Sequence, residues 1–236
     1  MTETITLGDI PIEVMRKNVR NVHLSVHPPD GRVTLVAPRA TRLEVARAYA
    51  IAKLGWIRDQ QAKLHAQARE APRRFVERES HYLWGRRYLL NVEERESRPG
   101  VRIDHKRITL SVRPGSDREK RAEVMHEWHK RLLHDAVPPL IERWEPRLGV
   151  RVSAYHLQRM KTKWGSCNPS KGNIRLNTEL VKKPKDLLEY IVVHEMLHLV
   201  EANHNERFIA LLDECFPGWR EARDELNSLP LSAENW

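Results

Sequence analysis

Residues 191–204 read IVVHEMLHLVEANH, and no other stretch of the chain restricts its folding options as much. His194 and His198 stand four apart among Ile191, Val192, Val193, Met196, Leu197 and Leu199. Four residues make about one turn of α-helix, so both imidazoles fall on one helix face, one above the other. The apolar flanks put that face inside a largely buried helix, where a polar group without a partner is costly. Two imidazoles one turn apart can share a metal ion. Glu195, next to the first, can take a proton from water at that metal and pass it to a leaving group. The competing reading is an ordinary helix with two core histidines, and the residues that follow bear on it.

A zinc ion needs a third protein ligand. His204 lies six residues beyond His198. On one straight helix six residues rotate by about 240°, so His204 would point away from the pair. The chain therefore has to break between them. Asn203 with Glu206 forms an N-x-x-E capping pattern, which predicts a new helix at that point with His204 as its first residue. Phe208, Leu211, Leu212 and Cys215 give this helix an apolar stripe. The alternative third ligand is a downstream carboxylate, Glu214 or Glu221. The spacing 194, 198, 204 also matches the metzincin pattern. However, Glu201 stands where that pattern has the glycine of a tight turn, and no methionine follows Met196.

The rest of the chain sets the context. Its 236 residues, 40% hydrophobic and 31% charged, suffice for one large or two small domains with a real core. The net charge of +9 attracts polyanions, although a basic solvated surface explains it equally well. Two cysteines, Cys167 and Cys215, are too few for a disulfide framework and fit a reducing cytoplasm. The N-terminus lacks the basic start and apolar run of a secretory signal, and no segment is apolar enough to span a bilayer. IEVMRKN, VHLSVHP and VTLVAP read as strands, with Pro29-Asp30-Gly31 as a turn between the last two. Thr41 with Glu44 forms a capping box opening a helix to about Arg69, and residues 70–74 read as a linker. Strands return over 75–113. Asp117 caps a long helix to about Trp144, Arg151–Ala154 is a candidate strand, and WGSCNPSKGN is a turn-rich loop before the strand IRLNTEL. A further helix starts after Pro184. His126, Glu127 and His129 on the long helix have a workable metal spacing but no further ligand nearby, so they read as an exposed face. Arg73-Arg74 and Arg86-Arg87 read as solvated surface.

Several of these elements recur together in one known family. Trp164-Gly165-Ser166-Cys167, Leu176-Asn177, Pro184, His194-Glu195-x-x-His198 and Asn203-His204 with Phe208 make the chain resemble the YgjP-like metallohydrolases, strongly over about residues 150–225. Where that family often has Arg before W-G-S-C and Trp after the Phe, this chain has Lys163 and Ile209. The resemblance implies zinc held by His194, His198 and His204, with Glu195 as base. It also implies a fold related to minimal gluzincin and SprT-like peptidase domains. In zincins an edge strand beside the active-site helix binds an extended substrate through its main chain, and a Gly-Ser-Cys segment allows close backbone approach there. Cys167 then reads as structural, and Trp164 as core packing.

The expected class is α+β: a β-rich N-terminal region with one long helix (residues 1–115), then a helical zincin-like catalytic core with a short edge sheet (116–236). The expected activity is that of a zinc metallopeptidase with Glu195 as base. One alternative is a metal-dependent pyrophosphohydrolase acting on nucleoside triphosphates of the UTP type, which the resemblance allows and the basic charge suits. A second is a SprT-like protease associated with nucleic acid. Lys163, Arg175, Tyr155 and His156 are candidates for contacting the substrate or stabilising an oxyanion.

Overall fold

The structure is a computed structural model that describes residues 2–27, 31–66, 69–70, 72–160, 163–229 and 231–232. Pro29 and Asp30 of the expected turn lie outside the described residues. The chain divides into two compact units, Met1–Glu70 and Ala71–Trp236.

The first unit is a four-stranded sheet with two helices. Strands β1 (Thr2–Leu7), β2 (Ile10–Lys17), β3 (His23–His27) and β4 (Arg32–Pro38) are ordered β1-β2-β4-β3. The inward positions Ile12, Val14, Val33 and Leu35 form a core with Ala46, Ala50 and Ile57 of the helices. The long helix expected over 41–69 is two helices, α1 (Leu43–Ala52) and α2 (Leu54–Ala66), separated at Lys53. Thr41 does not cap it: the N-cap residue is Arg42, without a side-chain bond. A two-residue strand, β5 (Arg69–Glu70), ends the unit.

The second unit opens with β6 (Ser80–Leu83), β7 (Arg86–Glu94), β8 (Gly100–Ile103) and β9 (Arg107–Val112), ordered β6-β7-β9-β8. Helix α3 (Arg118–Leu148) follows, and Asp117 caps it by accepting from the Lys120 N–H. The helix extends four residues past the expected end at Trp144, with Pro138, Pro139 and Pro146 inside it. A three-stranded sheet comes next, made of β10 (Ala154–Gln158), β11 (Gly165–Asn168) and β12 (Asn173–Asn177). Its order is β10-β12-β11, with β11 antiparallel to the central strand and at one edge. Half of the expected W-G-S-C loop is therefore strand. After a 3-10 turn over Thr178–Lys182 come α4 (Lys185–Leu197), α5 (Glu206–Cys215) and α6 (Trp219–Ser228).

The division between units does not fall at residue 115. Leu90, Ile108 and Leu110 of the second sheet belong to the same core as Met125 and Leu133 of α3, Leu176 of β12, and Leu188 and Val192 of α4. A boundary at 115 would expose both halves of that core. The α3 face carrying His126, Glu127 and His129 is also not a plain exposed face. His129 is buried and His126 half-buried, with the Arg159 Nε donating to His126 Nδ1 at 3.2 Å. Glu127 alone faces solvent, paired with Lys130.

The tip of the β6–β7 hairpin fixes the start of α4. Trp84 and Gly85 both take positive φ, and their N–H groups donate to the carbonyls of Val181 (2.8 Å) and Lys182 (3.2 Å). A Cβ on Gly85 would lie 2.9 Å from Pro184 Cγ, so glycine is what lets the turn sit against the N-cap residue of the helix.

Candidate metal centre

Helix α4 is buried on most of its surface. Leu187, Leu188, Val192, Val193, Met196 and Leu197 are at most 1% exposed. Pro184 stands at its N-cap and Asp186 in its first turn, where a negative charge suits the helix dipole. Glu189 ties it to α3, accepting from the Trp144 Nε1–H at 2.8 Å and pairing with Arg143 at 2.7 Å. The helix ends at Leu197 with His198 as its C-cap, and the Val200 and Glu201 N–H groups both return to the Leu197 carbonyl. The break required between His198 and His204 is thus built in at the second histidine.

The next helix starts later than the N-x-x-E pattern implies. Its N-cap is Asn205, whose side chain accepts from the Phe208 N–H at 3.0 Å. His204 precedes the cap instead of following it, and Asn203 is engaged through its backbone, its N–H donating to Glu201 Oε1 at 3.3 Å and its carbonyl accepting from the Asn205 N–H at 2.9 Å. Both Asn203 and Asn205 are short polar residues ahead of an apolar stripe, and the Glu at 206 favoured the wrong one.

His194, His198 and His204 converge. One ligand nitrogen from each lies within 4.8 Å of the others, and the two Nε2 atoms of His194 and His204 are 3.0 Å apart. The fully buried Phe208 ring forms the floor, its centroid 5.1, 4.7 and 4.8 Å from the three imidazoles. His198 Nδ1 lies 3.1 Å from the Glu201 carbonyl. Only an N–H can satisfy that oxygen, so the proton sits on Nδ1 and the Nε2 lone pair is left for a metal. His194 is pushed down to about 4 by burial and by the charges of His198 and His204, and burial likewise lowers His198. Three imidazoles converging nitrogen to nitrogen are a donor set that can hold a divalent cation.

Glu195 is 5% exposed. Burial pushes its carboxyl up to about 8, with the Lys163 ammonium pulling the other way. What buries it is strand β11. A Cβ on Gly165 would lie 2.4 Å from Glu195 Oε1, 2.7 Å from Cγ and 2.8 Å from Cδ. Cys167, two residues along the same face, has its thiol pushed up to about 11 by burial and by the Glu195 charge, which favours the protonated form over a thiolate.

The substrate candidates separate by sheet face. Ile174 and Leu176 of β12 are fully buried, and the intervening Arg175 is exposed. His156 and Ser166 are the register partners of Arg175, whereas Gly165 partners Leu176. Arg175 and the exposed His156 therefore project from the face opposite to the one that meets Glu195. Tyr155 shares the inner face, and its hydroxyl lies 2.8 Å from His134 Nδ1 on α3. Lys163 is the candidate whose charge reaches Glu195. Neither Glu214 nor Glu221 joins the histidine cluster among the described residues. Sequence reasoning missed the Glu201 carbonyl behind His198 and the contact of Gly165 with Glu195, which no local pattern encodes. It noted Phe208 without its role, although the i+4 spacing from His204 is a usable signal.

A protein whose helix carries H-E-x-x-H and whose chain folds a third histidine back onto it is built as a metallohydrolase. The model of the YgjP-like family, described as YgjP-like, metallopeptidase domain, matches residues 20–229, and the chain belongs to that family. It is a metallohydrolase enzyme, and its family implies a catalytic metal and a peptide substrate. No curated protein matches the sequence. Among solved structures, the metallopeptidase zymogen of Pyrococcus abyssi abylysin is 23% identical with a TM-score of 0.36, over 38% of this chain and 90% of the other. The zymogen of Methanocaldococcus jannaschii jannalysin is 24% identical with a TM-score of 0.35, over 39% and 87%. No helix among the described residues is long and apolar enough to cross a membrane.

Proposed function

We propose that the chain is a zinc metallopeptidase in which His194, His198 and His204 hold the ion and Glu195 is the general base. The observation that carries this reading is the convergence of three imidazole nitrogens within 4.8 Å, with the buried carboxyl of Glu195 following His194 on α4. When bound, zinc supplies Lewis acidity toward a carbonyl and toward water. A cation at the triad favours the ionised form of Glu195, opposing the effect of burial. Glu195 then accepts a proton from the attacking water and delivers it to the leaving amine. Among the described residues β11 stands at the edge of its sheet, where its main-chain groups can be offered to an extended peptide. Lys163 supports the reading as the cation nearest in effect to this carboxyl. A nucleoside triphosphate substrate is less well supported, because Arg175 and His156 lie on the other sheet face and leave Lys163 as the sole cation of that candidate set.

The test pairs zinc content with cleavage of fluorescently labelled unfolded casein. Glu195→Gln keeps the size of the side chain but cannot accept the proton. It should retain zinc and lose about 10²- to 10⁴-fold in turnover. A variant with zinc and near wild-type turnover removes Glu195 from the chemistry.

A further inference from the structure

We infer that Gly165 is a positioning residue for Glu195: the absence of a side chain at this one strand position sets where the carboxyl of the base is held. The inference rests on the proposed role of Glu195 and adds a residue to that machinery.

The three closest atoms to a Cβ built on Gly165 all belong to Glu195, at 2.4, 2.7 and 2.8 Å. Separations below about 3 Å between carbon and a non-bonded heavy atom are not tolerated, so one partner has to move. Two features decide which. Gly165 is held by the β11–β12 ladder opposite the fully buried Leu176, so the strand cannot retreat without breaking register. On the other side, the Glu195 backbone is inside α4, packed on both flanks by Val193, Met196 and Leu197. The Glu195 side chain is the only soft component. Because Cγ is involved as well as the carboxylate, relief requires a different rotamer for the whole side chain. A methyl group at 165 thus moves the base and leaves the three histidines in place, since none of their atoms is among the three nearest to that Cβ. The same contact explains why the carboxyl is buried at all: the strand backbone covers it where any side chain would hold the strand off.

This yields a directional expectation. Gly165→Ala should keep the zinc content of the wild type and leave KM for labelled casein within about threefold. It should lower kcat by about 10²-fold or more, since an angstrom of misplacement of a reacting group is worth that much. Introduced into Glu195→Gln, it should lower the residual rate by less than threefold, because no base is left to displace. A second, activity-independent cycle uses melting temperature on metal-free protein. Overpacking by the methyl should lower Tm by about 2–10 °C in the wild-type background and by less than 1 °C in Glu195→Ala, where the clashing side chain is gone. The Glu195→Ala background also provides a folded host if Gly165→Ala alone does not fold. The inference is overturned if Gly165→Ala keeps more than a third of wild-type kcat, if it costs the same factor with and without the Glu195 carboxylate, or if its Tm cost persists in Glu195→Ala. Failure of the peptidase reading is separate: an inactive wild type, or an active Glu195→Gln, with the Tm cycle still closing as expected, would retain the contact and discard the catalytic assignment.

Discussion

Individual side chains in this molecule are tuned mostly by burial, and His126 and His129 show it away from the metal centre. Burial, reinforced by the Arg159 charge, pushes His126 down to about 4. His129 is lowered well below its usual value by burial, with Lys182, His81, His126 and Arg159 adding like-sign charge. In the folded chain His126 stays neutral between pH about 4 and 6.5, and His129 stays neutral well below its usual titration range, while the unfolded chain takes up protons there. Unfolded protein binds more protons there, so stability rises with pH and is lost as pH falls from about 6.5 toward 4. Urea unfolding of chelator-treated protein should show a slope of up to about 1.4 kcal/mol per pH unit for each such histidine. His126→Gln should flatten the slope, and an unchanged slope would mean that His126 titrates normally. The burial of His129 was legible in principle. Met125, His129, Leu133 and Val137 repeat every four residues and form the inward stripe of α3. The eye is drawn instead to the H-E-x-H spacing. By contrast, the metal pair on α4 follows from helix periodicity alone, and the contact of Gly165 with Glu195 joins residues thirty apart that only the folded sheet brings together.

At the level of elements, the site depends on where one helix stops and the next begins. The sequence demands a break between His198 and His204, and the break is there; its exact cap is Asn205, because that side chain and not Asn203 reaches a free N–H of the first turn. Asn205→Ala should therefore cost about 0.5–2 kcal/mol and weaken zinc affinity, since His204 immediately precedes the capped turn. Asn203→Ala should leave both within error, as its side chain caps nothing. Equal effects of the two substitutions, measured by urea unfolding and zinc titration, would return the cap to Asn203. The same logic governs α4, whose start is held by the Trp84-Gly85 turn and whose middle is tied through Glu189 to Trp144 and Arg143. Strand content around residues 75–113 was readable from alternation, and the helix start after Pro184 from the proline. That W-G-S-C leads into an edge strand was hidden by its turn-forming residues. Strand formation at Gly165–Asn168 comes from pairing with β12, a tertiary effect that outweighs local propensity.

Over the whole molecule, the pattern of strands and helices anticipated an α+β chain but not its division. The expected boundary at 115 followed the change from strands to helices, whereas the units part at Glu70, because the β6–β9 sheet buries its apolar face in the helical core. Alternation in a sequence reveals that a sheet has an inward face, but not which element covers it. The net charge of +9 is spread over a chain in which several arginines are paired with nearby carboxylates, as Arg102 is with Glu93 and Arg121 with Glu94. Charge alone therefore defines no anion site. The central claim is that three histidines from two separated segments make one metal site, and it depends on His204 most of all. The decisive measurement is elemental analysis of the full chain after zinc loading and desalting, wild type beside His204→Ala. The account predicts about one zinc per wild-type chain and most of it lost from the variant. Full zinc retention in His204→Ala would contradict it and transfer the third position to another residue.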